Sequence, residues 1–200
     1  MDADAVELRV LGSLLEKQRT TPDAYPLSLN ALRLACNQST NRDPVVEYDE
    51  PAIRAALDRL SRKGWTRLAS GPGSRAPKYR QLFEEAVGTS PAETSVLAVL
   101  MLRGPQTLGE LRQRTERLHR FESTDETMRA LDGLIDRDLV ARLPRRPGQK
   151  EERFAHLLGG EAAEHPAEEP AAPPGRLDAL EERVARLEDE VSSLRRELGS

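Results

Sequence analysis

Between Asp49 and Phe83 the chain switches period within one short stretch, DEPAIRAALDRLSRKGWTRLASGPGSRAPKYRQLF, and that switch limits the folds open to it. Asp49 suits a helix N-cap, and Pro51 suits a first turn where no amide partner is needed. Ile53, Leu57 and Leu60 recur at helical spacing with Ala56 beside them, so one stripe faces a core. Ala55, Asp58 and Arg62 then point away from it, with Arg54 and Arg59 on the flanks. Gly64 follows Lys63 where a left-handed residue ends a helix. Trp65 to Leu68 alternates like a short strand, Gly71-Pro72-Gly73-Ser74 marks a turn, and Lys78 to Leu82 returns.

A helix followed by a basic hairpin is the outline of a winged-helix module. The plan occurs twice. Upstream, residues 4–19 form a first helix with Leu8, Leu11, Leu14 and Leu15 inward, broken at Thr20-Thr21-Pro22-Asp23. Ser28 caps a second helix carrying Leu29, Leu32 and Ala35 or Cys36. The polar loop Asn37–Asp43 can read bases or cap helices, with capping the default for such residues. Val45–Tyr48 reads as a short extended piece. After Thr89-Ser90-Pro91, a helix with Val96, Leu97, Leu100 and Met101 stops at Gly104-Pro105. Thr107 with Glu110 matches a capping box, opening a helix with Leu108, Leu111 and Leu118. Ser123 to Glu126 is a similar start, leading to Met128, Leu131 and Ile135. Leu139–Leu143 and Arg153–Leu157 are strands around a basic turn, residues 144–150. The halves share this plan with little residue identity.

Residues 159–175 are rich in Ala, Glu, Pro and Gly and read as a flexible linker. Beyond it Leu177, Leu180, Val184, Leu187, Val191, Leu194 and Leu198 alternate steps of three and four. Valine at a and leucine at d favour a parallel two-stranded coiled coil. In a parallel self-pair Arg176 meets Glu181, Arg183 meets Glu188 and Glu190 meets Arg195, and all three contacts attract. An antiparallel pair also brings early g arginines toward late g glutamates, so the parallel orientation is favoured and not fixed; the alternative to self-pairing is a helix laid on its own chain's surface. The expected architecture is mainly α with small β-wings: winged-helix domains at 1–88 and 89–158, then a coiled-coil helix at 176–198 that pairs two copies.

Charge is divided unevenly along the chain. Residues 159–200 hold 5 Lys/Arg against 11 Asp/Glu, whereas residues 1–88 (13 against 12) and 89–158 (12 against 11) are near neutral. Neutral bodies bind a polyanion only if their cations share a surface. The candidates for DNA contact are Arg54, Arg59, Arg62, Arg67, Arg75, Lys78 and Arg80 in the first unit, and Arg145, Arg146 and Lys150 in the second hairpin. Asp58 opposes this on the outward face. The second unit is the poorer reader: its third helix offers Arg129 among Asp132, Asp136 and Asp138, while its second helix carries Arg112, Arg114, Arg117 and Arg120. One cysteine and three histidines at unrelated positions give no zinc pattern. Cys36 reads as a small buried group. No phosphate loop and no nucleophile–base pairing is visible, so no cofactor, metal or enzymatic activity is expected. No apolar run reaches membrane-spanning length and no leader pattern opens the chain, so a cytoplasmic protein is expected.

Several motifs resemble the YceH-like family of bacterial proteins. They are Leu15-Glu16-Lys17-Gln18, Thr21-Pro22-Asp23 with Tyr25-Pro26-Leu27, Leu29-Asn30-Ala31-Leu32, and Ala35-Cys36-Asn37-Gln38 running to Asn41-Arg42-Asp43-Pro44. Gly73-Ser74-Arg75 with Lys78-Tyr79-Arg80, Leu102 to Thr107, Glu110-Leu111-Arg112, Arg114 to Arg117 and Pro147 to Glu151 extend the likeness over residues 5–158, and it takes in the terminal coil as well. The resemblance implies tandem winged-helix domains and names no activity. Read together, the residues point to a non-enzymatic, homodimeric DNA-binding protein, a transcriptional regulator or chromosome-associated factor. The alternative is a winged-helix adaptor for a protein partner without DNA binding.

Overall fold

The computed structural model describes residues 2–69, 76–145 and 151–159. The chain is mainly helical: α1 (Ala5–Thr20), a single 3-10 turn (Pro22–Ala24), β1 (Leu27–Ser28), α2 (Leu29–Cys36), α3 (Glu50–Arg62), β2 (Thr66–Leu68), β3 (Lys78–Gln81) and α4 (Phe83–Val87). There follow α5 (Pro91–Arg103), β4 (Gln106–Thr107), α6 (Leu108–Thr115), α7 (Thr124–Ile135), β5 (Val140–Leu143) and β6 (Arg153–His156). The strands form two antiparallel three-stranded sheets, ordered β1-β3-β2 and β4-β6-β5. Arg75, Arg146, Lys150, most of the 159–175 linker and the heptad residues Leu177 to Leu198 lie outside the described residues. No helix among the described residues is long and apolar enough to cross a membrane.

Helix starts follow from local side-chain chemistry. Asp49 accepts from Ala52 N at 2.8 Å, and Ser28 accepts from Ala31 N at 3.3 Å. Thr107 and Glu110 form the expected reciprocal box: Glu110 N donates to Thr107 Oγ1 at 3.2 Å, and Thr107 N to Glu110 Oε2 at 2.8 Å. Ser123 makes half of one. Glu126 N donates to its hydroxyl at 3.1 Å, but the Glu126 carboxylate takes Glu122 N instead. Each cap satisfies an amide the helix itself cannot. Thr107→Ala should therefore cost about 1 kcal/mol in chemical unfolding, and Ser28→Ala a similar amount.

Four details differ from the sequence expectation. Val45–Tyr48 joins no sheet, and Leu118 lies beyond the end of α6. The two-residue strands β1 and β4 are too short to show alternation in sequence. The short helix α4 buries Phe83 edge-on against Trp65, with ring centroids 5.1 Å apart.

The order helix, strand, helix, helix, strand, strand occurs twice, and the two copies close in the same way. Trp65 N donates to Leu60 O at 2.9 Å, as Leu139 N does to Leu134 O. Gly64 at φ +74° and Asp138 at φ +53° occupy the same left-handed position. Glu7 and Glu93 each serve as the third helical residue of a capping box, in α1 and α5 respectively. Each also binds the cation that follows the third helix of its repeat: Lys63 to Glu7 at 2.7 Å, Arg137 to Glu93 at 2.8 Å. The repeat is thus a repeat of contacts.

The two repeats share one continuous core. α1 buries Leu8, Leu11, Leu14 and Leu15 as expected, but also Val10, Gly12 and Ser13. α5 is buried at every position from Thr94 to Leu102. Both helices are enclosed because each packs against the other as well as against its own repeat. A backbone contact from Ala3 N to Leu158 O (2.9 Å) ties the start of repeat one to the end of repeat two.

Candidate nucleic-acid interface

The phase of α3 sets the site. With Ile53, Ala56, Leu57 and Leu60 inward, Arg54, Asp58 and Arg62 form an outward stripe at steps of four. In β2, Thr66 turns inward and Arg67 outward. Arg54, Arg62 and Arg67 are exposed, and none has a carboxylate within ion-pair distance among the described residues. The antiparallel ladder then places Arg67 directly opposite Arg80. Cross-strand partners share a face at a Cβ separation of about 5 Å, and like charges there repel. Among the described residues the pair is relieved by Glu85 alone, at 3.2 Å from Arg80 Nη2 and itself largely exposed, so its effect is small. Lys78 is exposed beside them on β3, in register with Ser28.

Arg59 does not join this surface. Its Nη2 donates to Asp4 Oδ2 at 2.6 Å, and its Nε lies 3.6 Å from the buried Glu7 carboxylate. Arg59 is committed to the start of α1, a partner 55 residues away in sequence.

The second repeat lacks the feature. Superimposing the ladders by register puts Ala141 and Ala155 opposite one another where repeat one has Arg67 and Arg80. Counting from the caps, Met128, Asp132 and Asp136 stand where α3 has Arg54, Asp58 and Arg62. Arg145 is exposed but lies 3.7 Å from Glu152, which also takes Arg142 at 3.2 Å. On and after α6, Arg112, Arg117 and Arg120 are exposed, with Glu116 and Glu122 lining the same groove as Arg112 and Arg120.

The polar loop serves the fold. Asn37 and Tyr48 exchange two bonds at 2.8 and 2.9 Å, and Asp43 N donates to Leu102 O at 2.8 Å. Arg42, whose side chain is 0% exposed, binds Glu16 through both terminal nitrogens at 3.1 and 2.6 Å. Tyr25 accepts from Gln81 N at 2.7 Å, and burial pushes its hydroxyl up to about 12. Burial likewise pushes the Cys36 thiol up to about 11, which holds it protonated and unreactive. Sequence reasoning missed Arg42 and Glu16 as a buried pair, because nothing local distinguishes them from surface charges.

These contacts fall on the stretches that carry the family likeness. The family described as "Protein of unknown function, DUF480" matches residues 3–149. A UPF0502 protein of Geobacter sulfurreducens is 51% identical over 195 residues, covering 94% of this chain and 88% of its own length. One from Solibacter usitatus is 48% identical, covering 96% of each chain, and one from Pectobacterium atrosepticum is 45% identical, covering 98% of this chain and 96% of its own. The chain therefore belongs to the DUF480, or UPF0502, family of bacterial proteins, in agreement with the YceH-like resemblance of its motifs.

Proposed function

We propose that the chain is a non-enzymatic DNA-binding protein of two tandem winged-helix repeats, in which repeat one makes the contact. The observation that carries this reading is the opposed Arg67–Arg80 pair beside an α3 face bearing Arg54 and Arg62. Two guanidinium groups held across a ladder with little internal compensation are stabilised by a polyanion. The element order, with the sheet order β1-β3-β2, supports α3 as the groove-entering helix of a helix-turn-helix pair and the hairpin as its flanking backbone contact. Arg54 and Arg62 then stand for base-edge or phosphate contacts, and Arg67, Lys78 and Arg80 for phosphate contacts. Residues 176–198 would pair two copies and favour inverted half-sites.

Fluorescence anisotropy with genomic DNA fragments over a range of salt tests this. With about six phosphate contacts, log affinity should fall against log salt with a slope of about −5. Arg54→Ala, Arg62→Ala and Arg67→Ala together should flatten that slope by about 3 if all three touch phosphate. Binding without salt dependence, or a triple variant that binds like the parent, overturns the reading. The adaptor reading draws on three exposed apolar side chains, Leu34, Val45 and Leu68, each more than half exposed. Charge reversal at Lys78 and Arg80 separates the two: DNA binding collapses, whereas an apolar partner contact at Leu34 and Val45 survives.

A further inference from the structure

The α1–α5 seam opens at one end. The second half of α1, Asn41, the last turn of α5 and the end of α6 enclose a cleft of about 60 Å³. Val99, Leu102 and Leu118 supply its apolar wall, and its polar lining is Glu16, Thr20, Asn41, Arg103, Arg114 and Arg117. A water needs about 10–15 Å³ of such space, so the cleft has room for a few waters or one compact ion.

The charges in the cleft do not cancel. Glu16 is taken by Arg42 at 2.6 Å, with Lys17 at 3.7 Å. Arg114 is offset by Glu110 at 3.4 Å, a half-buried pair one helical turn apart. Arg103 donates to Asn41 Oδ1 and has no carboxylate within ion-pair distance among the described residues. Arg117 has none either among the described residues. Burial lowers the Arg103 pKa, and the charge of Arg114 lowers it further. Arg103 and Arg117 thus approach one cleft in which Glu16, already paired with Arg42, is the lining carboxylate, and Glu16 and Glu110 offset the charge around Arg103 only in part. Asn41 sits at φ +60°, and its amide nitrogen remains a donor while its oxygen accepts from Arg103.

We propose that this cleft binds a small oxyanion of the phosphate class, free or as a phosphate monoester. Arg103 and Arg117 supply the planar, paired donors that match tetrahedral oxyanions, and Asn41 adds a neutral donor from the other repeat. Because the lining comes from both repeats, the ion clamps one to the other. The site is independent of the α3 face and does not rest on DNA binding.

The test uses the full chain without nucleic acid. Inorganic phosphate and glycerol phosphate are titrated by calorimetry, and thermal unfolding is followed in parallel with chloride at matched ionic strength as control. Either phosphate should bind saturably and raise the unfolding midpoint beyond chloride. The stronger of the two identifies the source of the phosphoryl group. Arg117→Gln should weaken that binding about tenfold or more while leaving the unliganded midpoint nearly unchanged. Arg103→Gln should abolish it, and if that variant fails to fold, Arg117→Gln decides. Equal midpoint shifts from phosphate and chloride, or an Arg117→Gln chain that binds phosphate like the parent, overturn the proposal. So does a short DNA duplex that displaces phosphate from the cleft with the same dependence on Arg117, since that assigns the cleft to a nucleic-acid backbone.

Discussion

Replacing Arg42 by methionine is expected to destabilise the chain by about 3–5 kcal/mol, the range for removing one partner of a buried ion pair. The guanidinium spends all of its N–H donors inside the protein. Nε and Nη2 donate to Ala35 O at 3.1 and 2.9 Å. Nη1 donates to Glu16 Oε1 at 3.1 Å and to Asn41 O at 2.8 Å, and Nη2 to Glu16 Oε2 at 2.6 Å. Methionine fills much of the space but leaves Glu16, only 13% exposed, with the more distant Lys17 at 3.7 Å as its remaining cation. It also leaves a carbonyl in the last turn of α2 and the loop carbonyl of Asn41 unpartnered. Lysine, with three donors on one nitrogen, cannot reproduce the fork and should also lose stability. Adding Glu16→Leu to Arg42→Met should recover part of the loss by removing the stranded charge, a coupling of about 0.5–3 kcal/mol. Urea unfolding of the four chains measures both quantities. A loss for Arg42→Met below about 1 kcal/mol, the usual surface range, would show that the loop is anchored by other means.

That pair also marks where sequence reading stops. Caps are legible because they act over three residues: Ser28, Asp49, Thr107 and Ser123 each accept the amide that their spacing assigns. The phase of α3 is legible for the same reason, and with it the exposure of Arg54 and Arg62. The partners of Arg42 and Arg59 are 26 and 55 residues distant, and only the packing of α1 against its own repeat brings them together. Both arginines look like solvated charges until then. The opposition of Arg67 to Arg80 depends on hairpin register, which is fixed by the connecting turn and not by the strands alone. The absence of that pair from repeat two, where Ala141 faces Ala155, needed the ladder to align halves that share few residues. The buried Val10–Ser13 side of α1 was hidden because the leucine stripe already accounts for one core face. The second face exists only because α5 covers it.

Gly12→Val puts that second face to the test. Gly12 lies mid-helix, where glycine normally costs about 1 kcal/mol relative to alanine, so any larger residue should stabilise a loosely covered α1. Here a Cβ would stand 3.0 Å from Leu102 Cγ and Cδ2 and 3.2 Å from Met101 Cβ. Leu102 and Met101 are 3% and 6% exposed, and the Met101 Cβ is fixed to the α5 backbone and cannot retreat. Alanine sets a helix gain of about 1 kcal/mol against a contact a few tenths of an ångström too close, and should change stability by less than about 1 kcal/mol. Valine adds two γ carbons to a filled seam and should cost about 3 kcal/mol, at the upper end of the usual overpacking range. For a chain of this size that corresponds to a midpoint drop of about 6–12 °C. Because one core runs through both repeats, the drop should appear at the same temperature in Trp65 fluorescence, which reports repeat one, and in far-UV circular dichroism, which reports helices of both. A valine chain as stable as the parent, or a Trp65 transition separated from the circular dichroism transition, would mean that α1 and α5 touch without sharing a core. The opposite result, loss of stability in one concerted step, ties the folding of the arginine-bearing repeat to that of its neighbour through the close approach at Gly12.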